Sequence, residues 1–224
     1  MVNGLNSISI IIYGLIFFVV TFGVKILDYI KKKELCPCLI KVPFTATVLA
    51  AMISTYFFFN SNIDLIIWGP FVGLLLLGNF FVGTISQKSE VYRIIGIASF
   101  ILSYIYSSVM LYFKYGLPDV FMIILISSMY VFYIMTFSYY FELNFKEVWT
   151  EFVYTFFVFV LIMFAYNPLI NIVTIIAVSI YFISEILLQI IRITDVDEYN
   201  DLEYNITLIY LLGIILFIVP KNIF

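Results

Sequence analysis

Apolar residues in this chain do not alternate with polar ones; they gather into long runs separated by short polar or turn-forming stretches. The runs cover 8–27, 40–59, 63–84, 92–113, 119–140, 148–166, 169–191 and 205–219. Most approach the ~20 residues that a helix needs to cross a hydrocarbon core roughly 30 Å thick. The breaks fall at 28–35, 60–62, 86–90, 114–118, 142–147, 167–168 and 194–204 and are too short for a separate soluble domain. The pattern predicts an all-α fold, a polytopic bundle of eight transmembrane helices forming a single domain over 1–224. The first run lacks a basic leader and exceeds the usual length of a signal-peptide core, so it reads as a retained span.

Composition names the solvent. The chain of 224 residues is 64% hydrophobic, 20% aromatic and only 11% charged, about half the charged fraction of an ordinary soluble domain. Its mean hydropathy is +1.15. The placement of Lys and Arg then supplies an orientation. With the N-terminus outside, the inner connections carry Lys25, Lys31, Lys32, Lys33, Lys41, Lys88, Arg93, Lys146 and Arg192, against Lys114 and Lys221 outside. This bias predicts a multi-pass integral membrane protein with both termini on the non-cytoplasmic side.

The net charge of −3 argues against nucleic acid as a partner. Histidine is absent, which removes the commonest general base and the commonest metal ligand. Cys36 and Cys38, the two cysteines, cannot complete a tetrahedral site with so few other ligands, so neither a metal nor an organic cofactor is expected. The acidic residues Asp195, Asp197, Glu198, Asp201 and Glu203 lack the glycine of a calcium loop and read as a solvated inner connection.

Against this apolar background, Glu185 is the sharpest feature, because an ionisable group inside a span is costly and is expected to face inward. Tyr181, Glu185, Gln189 and Arg192 follow at helical spacing and form one polar stripe in which Arg192 is a candidate partner for Glu185. Lys41, Asn79 and Tyr210 fall at a comparable depth near the inner face, so the four groups could line one cavity. Tyr92, Gly96, Ser99, Ser103 and Tyr106 make a small, hydroxylic seam suited to close helix packing. Trp68-Gly69-Pro70 with Gly73 predicts a kink and a close crossing. Leu77-Gly78-Asn79 in the third span and Ile183-Ser184-Glu185 in the seventh, 106 residues apart, suit a parallel four-plus-four duplication.

Lys41 and Pro43 opening the second span, Gly78-Asn79 in the third, Gly96 and Phe100 in the fourth, Phe182-Ile183-Ser184-Glu185 in the seventh and Tyr210 in the eighth together resemble the YhhN-like lysoplasmalogenase family. Family members carry Gly-Asp in the third span, His in the fourth, Ser-Asp in the seventh and Tyr followed by Gln in the eighth. The corresponding positions here are Asn79, Tyr104, Glu185 and Gly213. The resemblance implies hydrolysis of the vinyl-ether bond of a lysoplasmalogen-like lysophospholipid to a fatty aldehyde and a glycerophospho-base. It makes Glu185, Asn79 and Tyr104 the candidate catalytic residues, with Lys41, Ser184, Tyr210, Tyr181 and Gln189 as candidate substrate contacts. The expected partners are a lysophospholipid or other single-chain lipid and the membrane itself; the sequence carries no sign of an oligomeric state. Vinyl ethers break by protonation at carbon followed by water attack, which suits a carboxyl acid. Asn79 cannot accept a proton as a carboxylate would, so it could only orient water or a headgroup. Two other readings remain: a non-catalytic lipid-binding or lipid-moving protein that keeps the cavity, and a small-solute transporter.

Overall fold

The computed structural model describes residues 14–15, 19, 38–59, 65–82, 90–140, 145–167, 170, 172–194 and 200–218. Over them the chain forms seven helices and no strand: α1 Cys38–Phe59, α2 Leu65–Phe80, α3 Glu90–Tyr115, α4 Val120–Tyr140, α5 Phe145–Ala165, α6 Ile172–Thr194 and α7 Asn200–Ile218. They correspond to the second to eighth predicted runs, with ends shifted by a few residues. The first run is helical at 14, 15 and 19 and otherwise lies outside the described residues, as do Cys36, Lys25, Lys31 to Lys33, Lys88 and 195–199.

Apolar runs of this length are too long for strands and favour helices, in which the backbone groups between the two ends bond within the segment. Among the described residues, Glu90–Tyr115 and Val120–Tyr139 are long and apolar enough to cross a membrane, and five shorter apolar helical stretches accompany them. Proline does not end the early helices: Pro43 lies inside α1 and Pro70 inside α2. Beyond Phe80, residues 81–82 continue α2 in a wider π turn.

The packing partners define the architecture. α1 packs on α2, α2 on α3, α3 on α5, α5 on α6, α6 on α7, and α7 returns to α1, closing a circle of six helices. The contacts of α6 with α7 and of α2 with α3 are the most extensive, and those of α1 with α7 the thinnest. α4 stands outside this circle, packed chiefly against α5.

Two close crossings depend on glycine. At Gly96 an added Cβ would lie 2.5 Å from Val82 Cγ2 and 3.2 Å from the Gly78 carbonyl; at Gly78 it would lie 2.7 Å from the Phe100 ring. Of the predicted seam, Gly96, Ser99 and Ser103 are buried and serve the packing role, whereas Tyr92 is exposed and Tyr106 only partly buried; Phe100 and Tyr104 are buried beside them. At Gly213 an added Cβ would stand 3.0 Å from the backbone of Tyr181, so α6 and α7 meet almost backbone to backbone.

Candidate functional site

All six helices of the circle contribute at least one buried polar or tyrosyl side chain. These are Lys41 from α1, Asn79 from α2, Tyr104 from α3, Tyr154 from α5, Tyr181 and Glu185 from α6, and Tyr210 from α7, each at most 6% exposed. In a predominantly apolar protein such burial is costly unless the groups satisfy one another.

Several of them do. The Tyr154 hydroxyl donates to Glu185 Oε2 at 2.6 Å. The Tyr104 hydroxyl lies 2.7 Å from that of Tyr154 and 2.7 Å from that of Tyr181. A continuous chain of oxygens thus runs Tyr181, Tyr104, Tyr154, Glu185. The rings reinforce it: Tyr104 meets Tyr154 edge-on with centroids 5.5 Å apart, and Phe100 meets Tyr154 likewise at 5.9 Å. At its other end the Tyr181 ring lies 5.0 Å from that of Tyr210, over which Lys41 Nζ sits at 5.0 Å. An ammonium over an aromatic face is attracted by the ring quadrupole, and more strongly when desolvated. Lys41 and Tyr210 make this contact where α1 and α7 close the circle.

A second polar cluster lies one turn further along α6. Gln189 Oε1 accepts from Thr155 Oγ1 at 2.5 Å and from the Tyr133 hydroxyl at 3.0 Å, tying α6 to both α5 and α4. Its Nε2, fully buried, has no hydrogen-bond partner.

The predicted site residues therefore separate by role. Glu185, Tyr104, Tyr181, Tyr210 and Lys41 are contiguous through oxygens and rings. Ser184 is buried but turned back on its own helix, donating to the Tyr181 carbonyl at 2.7 Å. Asn79 is buried one residue from the Gly78–Phe100 crossing, with Nδ2 unpartnered. No hydrogen bond joins it to the carboxylate. The hydrogen bond to Glu185 comes from Tyr154; Arg192 belongs to α6, and its side chain lies outside the described residues. Sequence reasoning missed Tyr154, Thr155 and Tyr133. A signal existed for the first two: Glu151, Tyr154 and Thr155 recur at three- and four-residue spacing and mark a polar face on an otherwise Phe-rich helix.

No family model, curated protein or solved structure matches this chain. The functional reading accordingly rests on the geometry.

A groove of about 850 Å³ opens between α4, α5 and α6. It is not the cavity expected from the sequence, since Lys41, Asn79, Glu185 and Tyr210 are all absent from its lining. On α6 its wall is Phe182, Ile186 and Ile190, each one position beyond Tyr181, Glu185 and Gln189. One position on a helix is a rotation of about 100°. Groove and polar stripe thus occupy neighbouring faces of α6. Among the described residues no group of His, Cys, Asp and Glu is arranged to hold a metal ion.

Proposed function

We propose that this protein is a multi-pass, eight-span membrane protein of YhhN-like type that acts on single-chain ether lysolipids, with Glu185 as the proton donor and acceptor. Two apolar helices of spanning length and the surrounding apolar helices support the membrane reading. The positive-inside bias supports external termini. The four-plus-four duplication is supported by the correspondence it requires: it equates α2 and α3 with α6 and α7, and these are the two most extensively packed pairs.

The observation that carries the chemical reading is the buried Glu185 carboxyl held by Tyr154 at 2.6 Å. In the reaction proposed, the carboxyl gives its proton to the outer vinyl carbon of the R–O–CH=CH–R′ bond. Water adds to the oxygen-bearing carbon and returns a proton to Glu185. The resulting hemiacetal collapses to the alcohol R–OH and the aldehyde. Tyr154 and Tyr104 position the carboxyl, and Lys41 supplies positive charge for the phosphate.

The decisive assay offers lysoplasmenyl lipid to purified protein and measures aldehyde. Glu185→Gln is expected to lower release by about 10²- to 10⁴-fold, the usual worth of a general acid. No aldehyde from the unmodified protein, or unchanged release from Glu185→Gln, would overturn the hydrolase. A second reading, a lipid-binding protein without catalysis, is favoured by Asn79, an amide at the position where the family resemblance expects a carboxylate. Lipid binding without turnover would select it.

A further inference from the structure

We infer that Tyr181, Tyr104 and Tyr154 form a proton relay between water beside Tyr181 and the buried carboxyl of Glu185, through which the protein takes up and releases a proton in its core. The inference rests on the hydrogen-bond geometry and not on any action on lipid.

One proton per phenol fixes the sense of the chain. Tyr154 gives its proton to Glu185 Oε2 at 2.6 Å. Toward Tyr104 it can then only accept, so Tyr104 donates to it across 2.7 Å. Tyr104 has no second proton for Tyr181, which donates in its turn across 2.7 Å. Three hydroxyls in series therefore point at the carboxylate. When a hydronium ion gives a proton to the Tyr181 oxygen, the O–H bonds of Tyr181, Tyr104 and Tyr154 each break toward the next oxygen in line. Each phenol oxygen gains the proton arriving behind it, and the last proton bonds to Glu185. A water molecule is left at the entry and a neutral carboxyl at the end; run backward, the same steps discharge the carboxyl.

Packing alone does not call for these hydroxyls. Phe100 meets the Tyr154 ring edge-on at 5.9 Å without one, and phenylalanine in place of each tyrosine would leave no buried oxygen to satisfy. The rings hold the oxygens in line: Tyr104, fully buried, meets Tyr154 and Tyr181 edge-on at 5.5 and 6.1 Å. Water has a place beside the chain. On α3, Ser99 and Ser107 fold back on the carbonyls of Ile95 and Ser103. The hydroxyl of Ser103, the residue before Tyr104, and that of Thr207, one turn before Tyr210, are fully buried and no protein group satisfies them. Hydroxyls of this kind take ordered water as partner. Ionisable groups inside a membrane bundle commonly belong to proton relays.

The test follows deuterium exchange at the Glu185 carboxyl by infrared spectroscopy, on the full-length protein in lipid nanodiscs without added lysolipid. The carboxyl band is assigned by its loss in Glu185→Gln. After a switch from water to heavy water, Tyr104→Phe and Tyr181→Phe are expected to slow exchange by about 10²-fold, the lower end of what a positioned proton donor contributes. Tyr130→Phe, which removes a hydroxyl bonded to the Phe152 carbonyl away from the chain, should exchange as the unmodified protein does. A substitution that merely loosened the bundle would admit water and speed exchange, so the direction of the change separates a relay from structural support. Unchanged or faster exchange in the chain variants overturns the inference, as does equal slowing in Tyr130→Phe or a carboxyl that takes up no proton on acidification. Where Tyr104→Phe does not fold, Tyr181→Phe, which loses only the end hydroxyl, decides alone. Aldehyde release is assayed separately on the same preparations. Slowed exchange without release keeps the relay and discards the hydrolase; release with unchanged exchange does the reverse.

Discussion

Replacing Tyr154 with phenylalanine removes one oxygen where the chain of hydroxyls meets the carboxylate. Two contacts are lost, 2.6 Å to Glu185 and 2.7 Å to Tyr104. Interhelical hydrogen bonds in membranes average about 0.6 kcal/mol and reach about 1.7. The bond to the Glu185 carboxyl, short and fully buried, is assigned the upper value of about 1.7 kcal/mol, and the hydroxyl pair about 0.6. Together they give about 2.3 kcal/mol, a fall in Tm of about 5–9 °C for a chain of this size. The assay is thermal unfolding in nanodiscs of the unmodified protein, Tyr154→Phe, Glu185→Leu and the double variant. Leucine is chosen because glutamine would keep an acceptor. The double variant should be less destabilised than the sum of the singles by about 1.7 kcal/mol. Additivity within ~0.5 kcal/mol would mean that the bond carries no coupling and that the argument from burial is wrong.

Three further outcomes follow from the packing. Gly213→Leu drives a side chain into the backbone of Tyr181, where even a Cβ would stand at 3.0 Å; a loss of about 1–3 kcal/mol is expected, read as a lower unfolding temperature. Gly78→Ala places its methyl 2.7 Å from the Phe100 ring and should cost a similar ~1–3 kcal/mol. Here Phe100→Leu in the same chain should return about 1 kcal/mol, because the atoms in the way are side chain and not backbone; equal stability of the single and double variants would refute the clash. Glu90→Gln breaks the Glu90–Arg93 pair at 2.6 Å, but both side chains are solvent-exposed. Its effect on stability should stay within about 0.5 kcal/mol, since exposed pairs contribute little.

The hydropathy pattern by itself determined where the seven described helices lie, because apolar runs of about 20 residues are too long for a strand and bounded by turn-forming residues. It also determined which residues would resist burial. Glu185, Lys41, Asn79 and Tyr210 stood out by being polar in an apolar neighbourhood, and all four are buried. Helical spacing put Tyr181, Glu185 and Gln189 on one face of α6, and the small residues of α3 gave away that some helix crosses it closely. What no local pattern carries is the order of the helices around the circle and the rotation of each about its axis. Those alone decide that Tyr154, one of 18 tyrosines, is the residue that reaches Glu185, and that Tyr104 bridges it to Tyr181. They also decide that Asn79 stands apart from the carboxylate, and that the apolar groove opens on the face of α6 next to the polar one. Spacing along a helix fixes which side chains share a face; which partner that face meets is set by contacts between residues as distant in the chain as Tyr104 and Tyr181 or Lys41 and Tyr210, where sequence proximity carries no information.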